Sequence, residues 1–178
     1  GSIYHRFSLN GDVDKIFDET RWEQYNLYNV RYVVAPEERT FPAFVRPLQQ
    51  FGRHRLYQVE TTGYFDLVGS DLNFGGAKTS LYPAASSWLA SGLPAAKQHP
   101  VVSFGNPSGE LERLIPLSEA AGVIAKADAS VGPVRGIVLS EGIGNNYFAA
   151  DVTVDHESML MLKATYHPNW RATVDGVD

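Results

Sequence analysis

The sequence predicts an α+β protein with a mixed α/β N-terminal part and a C-terminal part that is predominantly an antiparallel, jelly-roll-like β-sandwich. Three observations predict this class. After residue 121, short extended segments follow one another, separated by turns rich in Gly, Asn and Asp. Before that point, helical and extended patterns alternate. Aromatic residues make up 12% of the chain, which favours β structure.

The first third of the chain alternates between helical and extended patterns. Apolar residues over 12–24 have roughly helical spacing, and Asp12 or Asp14 can cap the start of a helix. The segment 41–52 is predicted to be a short helix or turn that stops at Gly52. The predicted strands are a mostly buried one over 30–34, one over 54–60 and a short one over 64–70.

The middle of the chain is more polar and contains more glycine at its start. The polar, glycine-bearing segment 71–80 predicts a loop. A short amphipathic helix is expected within 80–97, starting near Pro83, because proline is favourable in the first turn of a helix. A brief strand is predicted over 99–106, and the segment 110–122 is compatible with either helix or loop.

From Ala121 onward the pattern is extended. Phe148, Ala150, Val152 and Val154 alternate with polar or small residues and are expected on one face of a strand. The predicted extended segments are 121–130, 132–146, 147–157, 158–168 and 170–176. The resulting division is a mixed α/β portion with a helical connection over 3–98 and a β-sandwich portion over 99–178, unless the two form one continuous domain.

Composition and charge exclude several classes of function. The net charge is −5 and no block of Lys or Arg occurs, so nucleic acid is not an expected partner. The absence of cysteine excludes disulfides and thiolate metal sites. No apolar run reaches the roughly 18–20 residues of a membrane span, and no signal peptide is visible. We expect neither a cofactor nor a metal.

Motifs of known enzyme classes are missing from the sequence. It has no Gly-x-Ser-x-Gly elbow, no His-Glu-x-x-His and no phosphate-binding glycine loop. His156, between Asp155 and Glu157, could contribute to a cation site, but a polar turn between strands is the favoured interpretation. These absences count against a free-standing enzyme such as a hydrolase.

The last segment, Tyr166 to Gly176, has the pattern of a turn, a short strand and a second turn. Asp175-Gly176 is a strong signal for a two-residue hairpin turn, whose return strand we expect beyond Asp178. Tyr166 and Trp170 offer aromatic faces for a sugar ring, although packing is the commoner role of such side chains. The packing interpretation predicts a mostly buried Trp170 and places Val174 on a strand edge.

The longer segment 160–176 resembles the extracytoplasmic C-terminal region of YfhO-like bacterial membrane proteins and of relatives labelled as related to pyruvoyl-tetrahydropterin synthase. Two upstream segments, 27–36 and 54–68, resemble the same family in the same order. Together the three cover about a quarter of the chain. The matching residues of the C-terminal motif are Leu160, Leu162, Tyr166, Pro168, Trp170, Val174, Asp175 and Gly176. Asn169 stands where the family often has Gly.

The resemblance implies a polytopic parent protein in the bacterial cell membrane, of the glycosyltransferase C superfamily type. Such enzymes use a polyprenyl-phosphate sugar donor at the outer membrane face, and their catalytic acid usually lies in an early loop outside this chain. No catalytic residue is therefore assigned. The implied role is an extracytoplasmic, non-catalytic domain that positions a carbohydrate acceptor or a lipid-linked sugar donor.

The candidate carbohydrate-binding residues are Tyr166, His167, Trp170 and Asp175. They lie together in the C-terminal motif and combine aromatic faces with polar groups. One alternative function stays open from the sequence alone: a structural or protein-interaction module of a membrane protein that binds no sugar.

Overall fold

The computed structural model describes residues 16–69, 71–104, 114–127, 134–165 and 167–177. They form a mixed α+β fold with several antiparallel sheets. The helices are α1 (Trp22–Leu27), α2 (Leu81–Ala90) and α3 (Ala120–Ile124). The strands are β1 (Tyr32–Pro36), β2 (Val45–Phe51), β3 (His54–Val59), β4 (Phe65–Val68), β5 (Asn73–Gly76), β6 (Val101–Phe104), β7 (Ile115–Pro116), β8 (Gly136–Ile143), β9 (Phe148–Val154) and β10 (Met159–Leu162). No helix within these ranges has the length and apolar character that crossing a membrane requires.

The first sheet has the antiparallel order β1–β3–β2. Strands β2 and β3 form a hairpin in which Phe51 pairs with His54, and Gly52 in the turn has a φ of 58°. The prediction of a helix or turn over 41–52 was therefore wrong. Pro47 is tolerated because β2 is an edge strand with a bulge between Pro47 and Gln49.

Strand β1 confirms the extended segment predicted near residues 30–34, but it is not mostly buried. It is the other edge of the sheet, and only Ala35 of the strand is buried. Val33 is partly buried against the core, whereas Tyr32, Val34 and Pro36 are exposed, and the large apolar Val34 is 67% exposed. The burial prediction failed because a short apolar run has the same pattern in an edge strand as in a central one.

Helix α1 packs on the first sheet. Tyr25 lies in a core cluster with Ala35, Val45, Tyr57 and Val59. The predicted helix over 12–24 overlaps α1 only at its end. The proposed caps, Asp12 and Asp14, lie outside the described residues.

Arg21, just before α1, links this helix to α2. Its guanidinium donates hydrogen bonds to the carbonyl oxygens of Leu89, Ala90 and Ser91, at 3.1, 3.1 and 2.7 Å. These carbonyls at the end of α2 have few partners within their own helix, so an arginine there satisfies them. Helix α2 itself confirms the helix predicted within 80–97, with Pro83 in its first turn.

A second, parallel sheet has the order β6–β5–β7. Strand β5 lies where a loop was predicted over 71–80, so that prediction was wrong. Phe74 is buried at the centre of β5, and Gly75 leaves room for Leu114: a Cβ at Gly75 would lie 3.2 Å from Leu114 Cδ1. The brief strand predicted over 99–106 is confirmed by β6.

The segment 121–130 was predicted to be extended, and its described part begins instead as helix α3. Ala120 and Ile124 are spaced by one helical turn and are both buried in the cluster that covers the parallel sheet. The other buried members of this cluster are Phe74, Ala84, Leu93 and Leu117. The segment is therefore helical because a helix buries both Ala120 and Ile124, although its sequence looks extended.

The C-terminal strands form two antiparallel pairs, β8–β9 and β10–β4. Phe148, Ala150 and Val152 are partly buried on one face of β9, as predicted, whereas Val154 is exposed. The jelly-roll sandwich is not confirmed by these pairs. Both β10 with β4 and β6 with β5 are paired across the predicted division at residues 98 and 99.

The Asp175-Gly176 turn is confirmed. Val174 and Val177 exchange two backbone hydrogen bonds of 2.8 and 2.9 Å, and the two residues between them have φ of 52° and 79°. Positive φ at both central positions is the requirement of the type I′ turn that Asp-Gly favours. Val174 thus pairs with Val177 through an isolated bridge and is otherwise exposed.

Candidate functional site

A buried ionic cluster lies at the centre of strand β4. Asp66 is buried, and its two carboxylate oxygens contact two ammonium groups: Lys163 Nζ at 2.8 Å and Lys97 Nζ at 2.9 Å. The side chain of Lys163 is wholly shielded from solvent, whereas that of Lys97 is 44% exposed. The carboxylate therefore joins an internal cation to one that faces outward.

Asn26 and Thr62 complete the hydrogen bonding of the cluster. Asn26 Nδ2 donates to Asp66 Oδ2 at 3.2 Å, and Asn26 Oδ1 accepts from the backbone N–H of Thr62 at 2.8 Å. The Thr62 hydroxyl lies 2.9 Å from Asp66 Oδ1 and accepts from Lys163 Nζ at 2.7 Å. Buried charges are tolerated only with such partners, and here each buried charged group has both an ion pair and hydrogen bonds.

Five separate elements supply the cluster. Asn26 comes from α1, Thr62 from the connection before β4, Asp66 from β4, Lys97 from the loop after α2 and Lys163 from the residue after β10. Lys97 has a φ of 53°, and its carbonyl oxygen accepts a 3.0 Å hydrogen bond from the N–H of Gly69. The loop that presents the Lys97 ammonium is thereby attached to the end of β4.

Burial and ion pairing act in opposite directions on the acid–base properties of the cluster. Burial alone would raise the pKa of Asp66, but the hydrogen bonds from Lys163 and Lys97 outweigh it, so this pKa lies below its usual 3.8. Burial also lowers the pKa of Lys163, and the bond from the Asp66 carboxylate offsets this only in part. Asp66 is therefore a carboxylate at every physiological pH.

His99, in the connection before β6, borders the cluster. Its ring lies 4.8 Å from that of Trp88, and its backbone N–H donates to the carbonyl oxygen of Gly69 at 2.8 Å. Burial lowers the pKa of His99 from 6.5 to about 4. The nearby Asp66 opposes this change, and the two lysines reinforce it. His99 is accordingly neutral at neutral pH.

A cleft of about 560 Å³ opens beside Asp66 and Lys97. Strand β4 and the loop after α2 form one wall, and the start of β8 with Val134 and Arg135 forms the other. Arg135 Nη1 donates a 2.6 Å hydrogen bond to the carbonyl oxygen of Glu157. The lining residues are Thr62, Phe65, Asp66, Leu67, Ala95, Ala96, Lys97, Val134, Arg135, Gly136, Ile137 and Val138.

The residues predicted from the sequence lie elsewhere. His167, Trp170 and Asp175 are exposed in the C-terminal segment and do not line the cleft, and Tyr166 lies outside the described residues. Trp170 is 41% exposed, so the prediction of a mostly buried side chain was wrong. Its ring meets Phe148 edge-on at 5.7 Å, and its Nε1–H donates to the carbonyl oxygen of Thr165 at 3.2 Å.

His156 and its acidic neighbours form an exposed turn between β9 and β10, as favoured from the sequence. The backbone N–H groups of Asp155 and His156 both donate to the carbonyl oxygen of Arg135, at 2.9 and 3.4 Å. Within the described ranges, no group of three or more His, Cys, Asp or Glu side chains is placed to hold a metal ion.

Sequence reasoning missed the cluster, although one signal was present. Asp66 stands alone as a charged residue within the apolar run Phe65 to Val68, and a carboxylate in such a run must be paired when the strand is buried. That signal identifies Asp66 but not its partners. Lys97 and Lys163 belong to distant segments, and only the fold brings them together.

Comparison with known proteins adds no family to this description. No family model matches the chain. No curated protein and no solved structure matches it at a significant level.

Proposed function

We propose that this chain is a non-catalytic, extracytoplasmic domain of a polytopic membrane glycosyltransferase-like protein, and that it positions a carbohydrate acceptor or a lipid-linked sugar donor. The cleft beside Asp66 and Lys97 carries the binding part of this proposal. Its volume of about 560 Å³ is in the range of small-molecule sites, and it combines a few polar groups with apolar walls. The membrane parent rests on the sequence resemblance alone.

The chemistry of the cluster supports binding rather than catalysis. A general acid or base works best with a pKa near the operating pH, whereas the pKa of Asp66 is held below 3.8 by its two ammonium partners. Lys163 is shielded from solvent and cannot reach a ligand without rearrangement. Lys97 lines the cleft and its side chain is 44% exposed, so it is the cluster cation that a ligand can reach.

The jelly-roll sandwich belongs to the same proposal. Its support is the packing of β8 against β4: the Glu141 carboxylate in β8 accepts backbone hydrogen bonds from Tyr64 and Phe65, and a Cβ on Gly136 would lie 3.0 Å from Leu67 Cδ1. The pairs β8–β9 and β4–β10 are therefore in contact, which supports the proposed sandwich. Further strands paired to these edges would complete a sandwich.

A second candidate function is a structural or protein-interaction module without sugar binding. It is favoured by large apolar side chains that are exposed on and beside β8, such as Leu139, which is 61% exposed. Contiguous exposed apolar surface often marks a protein contact. The two functions differ in their ligand, so one experiment separates them.

The test is glycan binding to the purified domain, measured on a glycan array and by isothermal titration calorimetry, with two matched variants. Ala95→Trp places a large side chain in the cleft, and Ala43→Trp places the same side chain on an exposed loop elsewhere. We expect binding by the wild type and by Ala43→Trp, and loss of binding by Ala95→Trp. An absence of glycan binding, together with specific capture of a purified partner protein, would establish the second function instead.

A further inference from the structure

We infer that the cleft selects a saccharide that carries an oxyanion, a phosphate or a carboxylate, and that Arg135 and Lys97 bind this group. The inference rests on the proposed function, since it assigns a chemical class to the ligand of the same cleft. Its three supports are the local charge, the unused hydrogen-bond donors of the two cations and the contacts that Gly69 makes with both residues.

The charge of the cleft is opposite to that of the chain. The whole chain has a net charge of −5, yet the charged lining of the cleft comprises Lys97 and Arg135 against the single carboxylate of Asp66. The ammonium of Lys163 lies 2.8 Å from the same carboxylate and already balances its negative charge. The cleft therefore carries an excess of positive charge, which attracts anions and repels cations.

Both cations have hydrogen-bond donors left for a ligand. Within the part of the chain that the structure describes, the Lys97 ammonium bonds only to Asp66, and the Arg135 guanidinium bonds only to the carbonyl oxygen of Glu157. An ammonium has three N–H donors and a guanidinium has five. A phosphate or a carboxylate supplies the acceptor pairs that a guanidinium fork matches, whereas a neutral hydroxyl does not.

Gly69 contacts both residues, Lys97 through its backbone and Arg135 through its side chain. Its backbone N–H donates to the carbonyl oxygen of Lys97 at 3.0 Å, and the Arg135 guanidinium lies directly on its Cα. A Cβ at this position would be 1.9 Å from both Cζ and Nη2 of Arg135. Any larger residue would therefore push the guanidinium away. The position of Arg135 in the cleft depends on a glycine that Lys97 also contacts.

The apolar lining of the cleft suits the sugar part of such a ligand. Val134 and Ile137 expose apolar side chains on the wall that carries Arg135, and the small Ala95 and Ala96 line the wall that carries Lys97. A pyranose ring has C–H groups that pack on apolar surface while its substituents bond to polar groups. A free inorganic anion would use only the two cations and leave these apolar side chains without a partner.

The test is isothermal titration calorimetry with glucose 1-phosphate, glucuronate, neutral glucose and inorganic phosphate. We expect glucose 1-phosphate or glucuronate to bind at least about tenfold more tightly than glucose, the equivalent of one charge-assisted hydrogen bond. Binding of the phosphate sugar alone identifies a phosphate ligand, and binding of glucuronate alone identifies a carboxylate ligand. Inorganic phosphate should bind more weakly than the sugar phosphate.

Two variants and one control locate the oxyanion. Arg135→Gln removes the guanidinium, and Gly69→Ala keeps it but displaces it from its place on residue 69. Arg53→Gln removes an exposed arginine of the β2–β3 hairpin and serves as the matched control. We expect the first two to lose at least about tenfold in affinity for the anionic sugar and the control to retain it. Thermal unfolding of each variant verifies that the fold persists.

Different failures have different meanings. Equal binding of glucose and of the anionic sugars, unchanged in both variants, would overturn the oxyanion inference and leave the proposed carbohydrate function standing. Inorganic phosphate binding as tightly as glucose 1-phosphate would overturn the saccharide part of the inference. Failure of every sugar to bind, on the array and in solution, would overturn the proposed function itself.

Discussion

The ammonium of Lys163 lies 2.8 Å from the carboxylate of Asp66, and the backbone N–H of Lys163 donates to the carbonyl oxygen of Tyr64 at the same distance. Strand β10 is thus joined to β4 twice, by its backbone ladder and by a shielded ion pair. Because the Lys163 side chain is wholly removed from solvent, its charge depends on this partner. The pairing of β10 with β4 and the ion pair of the cluster therefore depend on each other.

Replacement of Lys163 by methionine is expected to lower the free energy of unfolding by about 3 kcal/mol, because it leaves the buried Asp66 carboxylate with fewer partners. Chemical denaturation measures the loss. Lys126→Met, at an exposed position after α3, is the control and should change stability by no more than about 0.5 kcal/mol.

A second replacement separates loss of a partner from loss of packing. In the double variant Lys163→Met with Asp66→Leu, no buried charge remains unpaired, because the ammonium of Lys97 is half-exposed to water. We therefore expect most of the lost stability to return. If the double variant is less stable than Lys163→Met alone, Asp66 is not the group that Lys163 compensates.

Glu141 holds the start of β4, the strand that carries Asp66. Its carboxylate accepts the backbone N–H groups of Tyr64 and Phe65 at 3.1 and 2.8 Å. Glu141→Gln keeps the shape but removes the charge, so we expect a loss of about 1.5–3 kcal/mol in the free energy of unfolding. The exposed Glu119→Gln is the matched control. Equal stability of the two variants would show that the backbone contacts of Glu141 do not support the fold.

His99 should make the protein sensitive to acid. Burial lowers its pKa from 6.5 to about 4, so between these values the unfolded chain binds a proton and the folded chain does not. Stability is therefore lost as the pH falls from 6.5 towards 4, by at most about 3 kcal/mol for this group. Asp66 adds a further loss only below pH 3.8.

The measurement is chemical denaturation at about pH 7 and about pH 4.5 for the wild type and His99→Phe. Phenylalanine keeps an aromatic ring against Trp88 but cannot bind a proton. We expect the decrease in stability between the two pH values to be smaller in the variant. The same decrease in both proteins would assign the acid sensitivity to other groups.

The sequence predicted the elements that have a clear local signal. The alternation of β9, the proline in the first turn of α2 and the Asp175-Gly176 turn each depend on neighbouring residues, and each is present. Strands β2 and β5 were not predicted as strands. In both, residues that usually interrupt strands, Pro47 and Gly75, are tolerated for tertiary reasons: an edge position in β2 and a close approach by Leu114 in β5.

The site was less predictable than the fold. The grouping of aromatic and polar residues in the C-terminal motif predicted a site at Trp170 and its neighbours. The cluster at Asp66 instead assembles Asn26, Lys97 and Lys163 from three distant segments. No spacing rule for a single chain segment relates these residues, because their proximity follows from the pairing of β10 with β4 and from the return of the loop after α2.

Trp170 supplies the test that separates the sequence-based site from the cleft. Its ring packs edge-on against Phe148 but stays 41% exposed, so Trp170→Ala is expected to cost only about 1–2 kcal/mol of stability. Tyr82→Ala, at a half-exposed aromatic of α2, is the control. Calorimetric titration with the sugar that the wild type binds should give unchanged affinity for both variants, because neither residue lines the cleft. Loss of sugar binding by a stably folded Trp170→Ala, with Ala95→Trp still active, would move the binding site to the C-terminal turn and to His167 and Asp175.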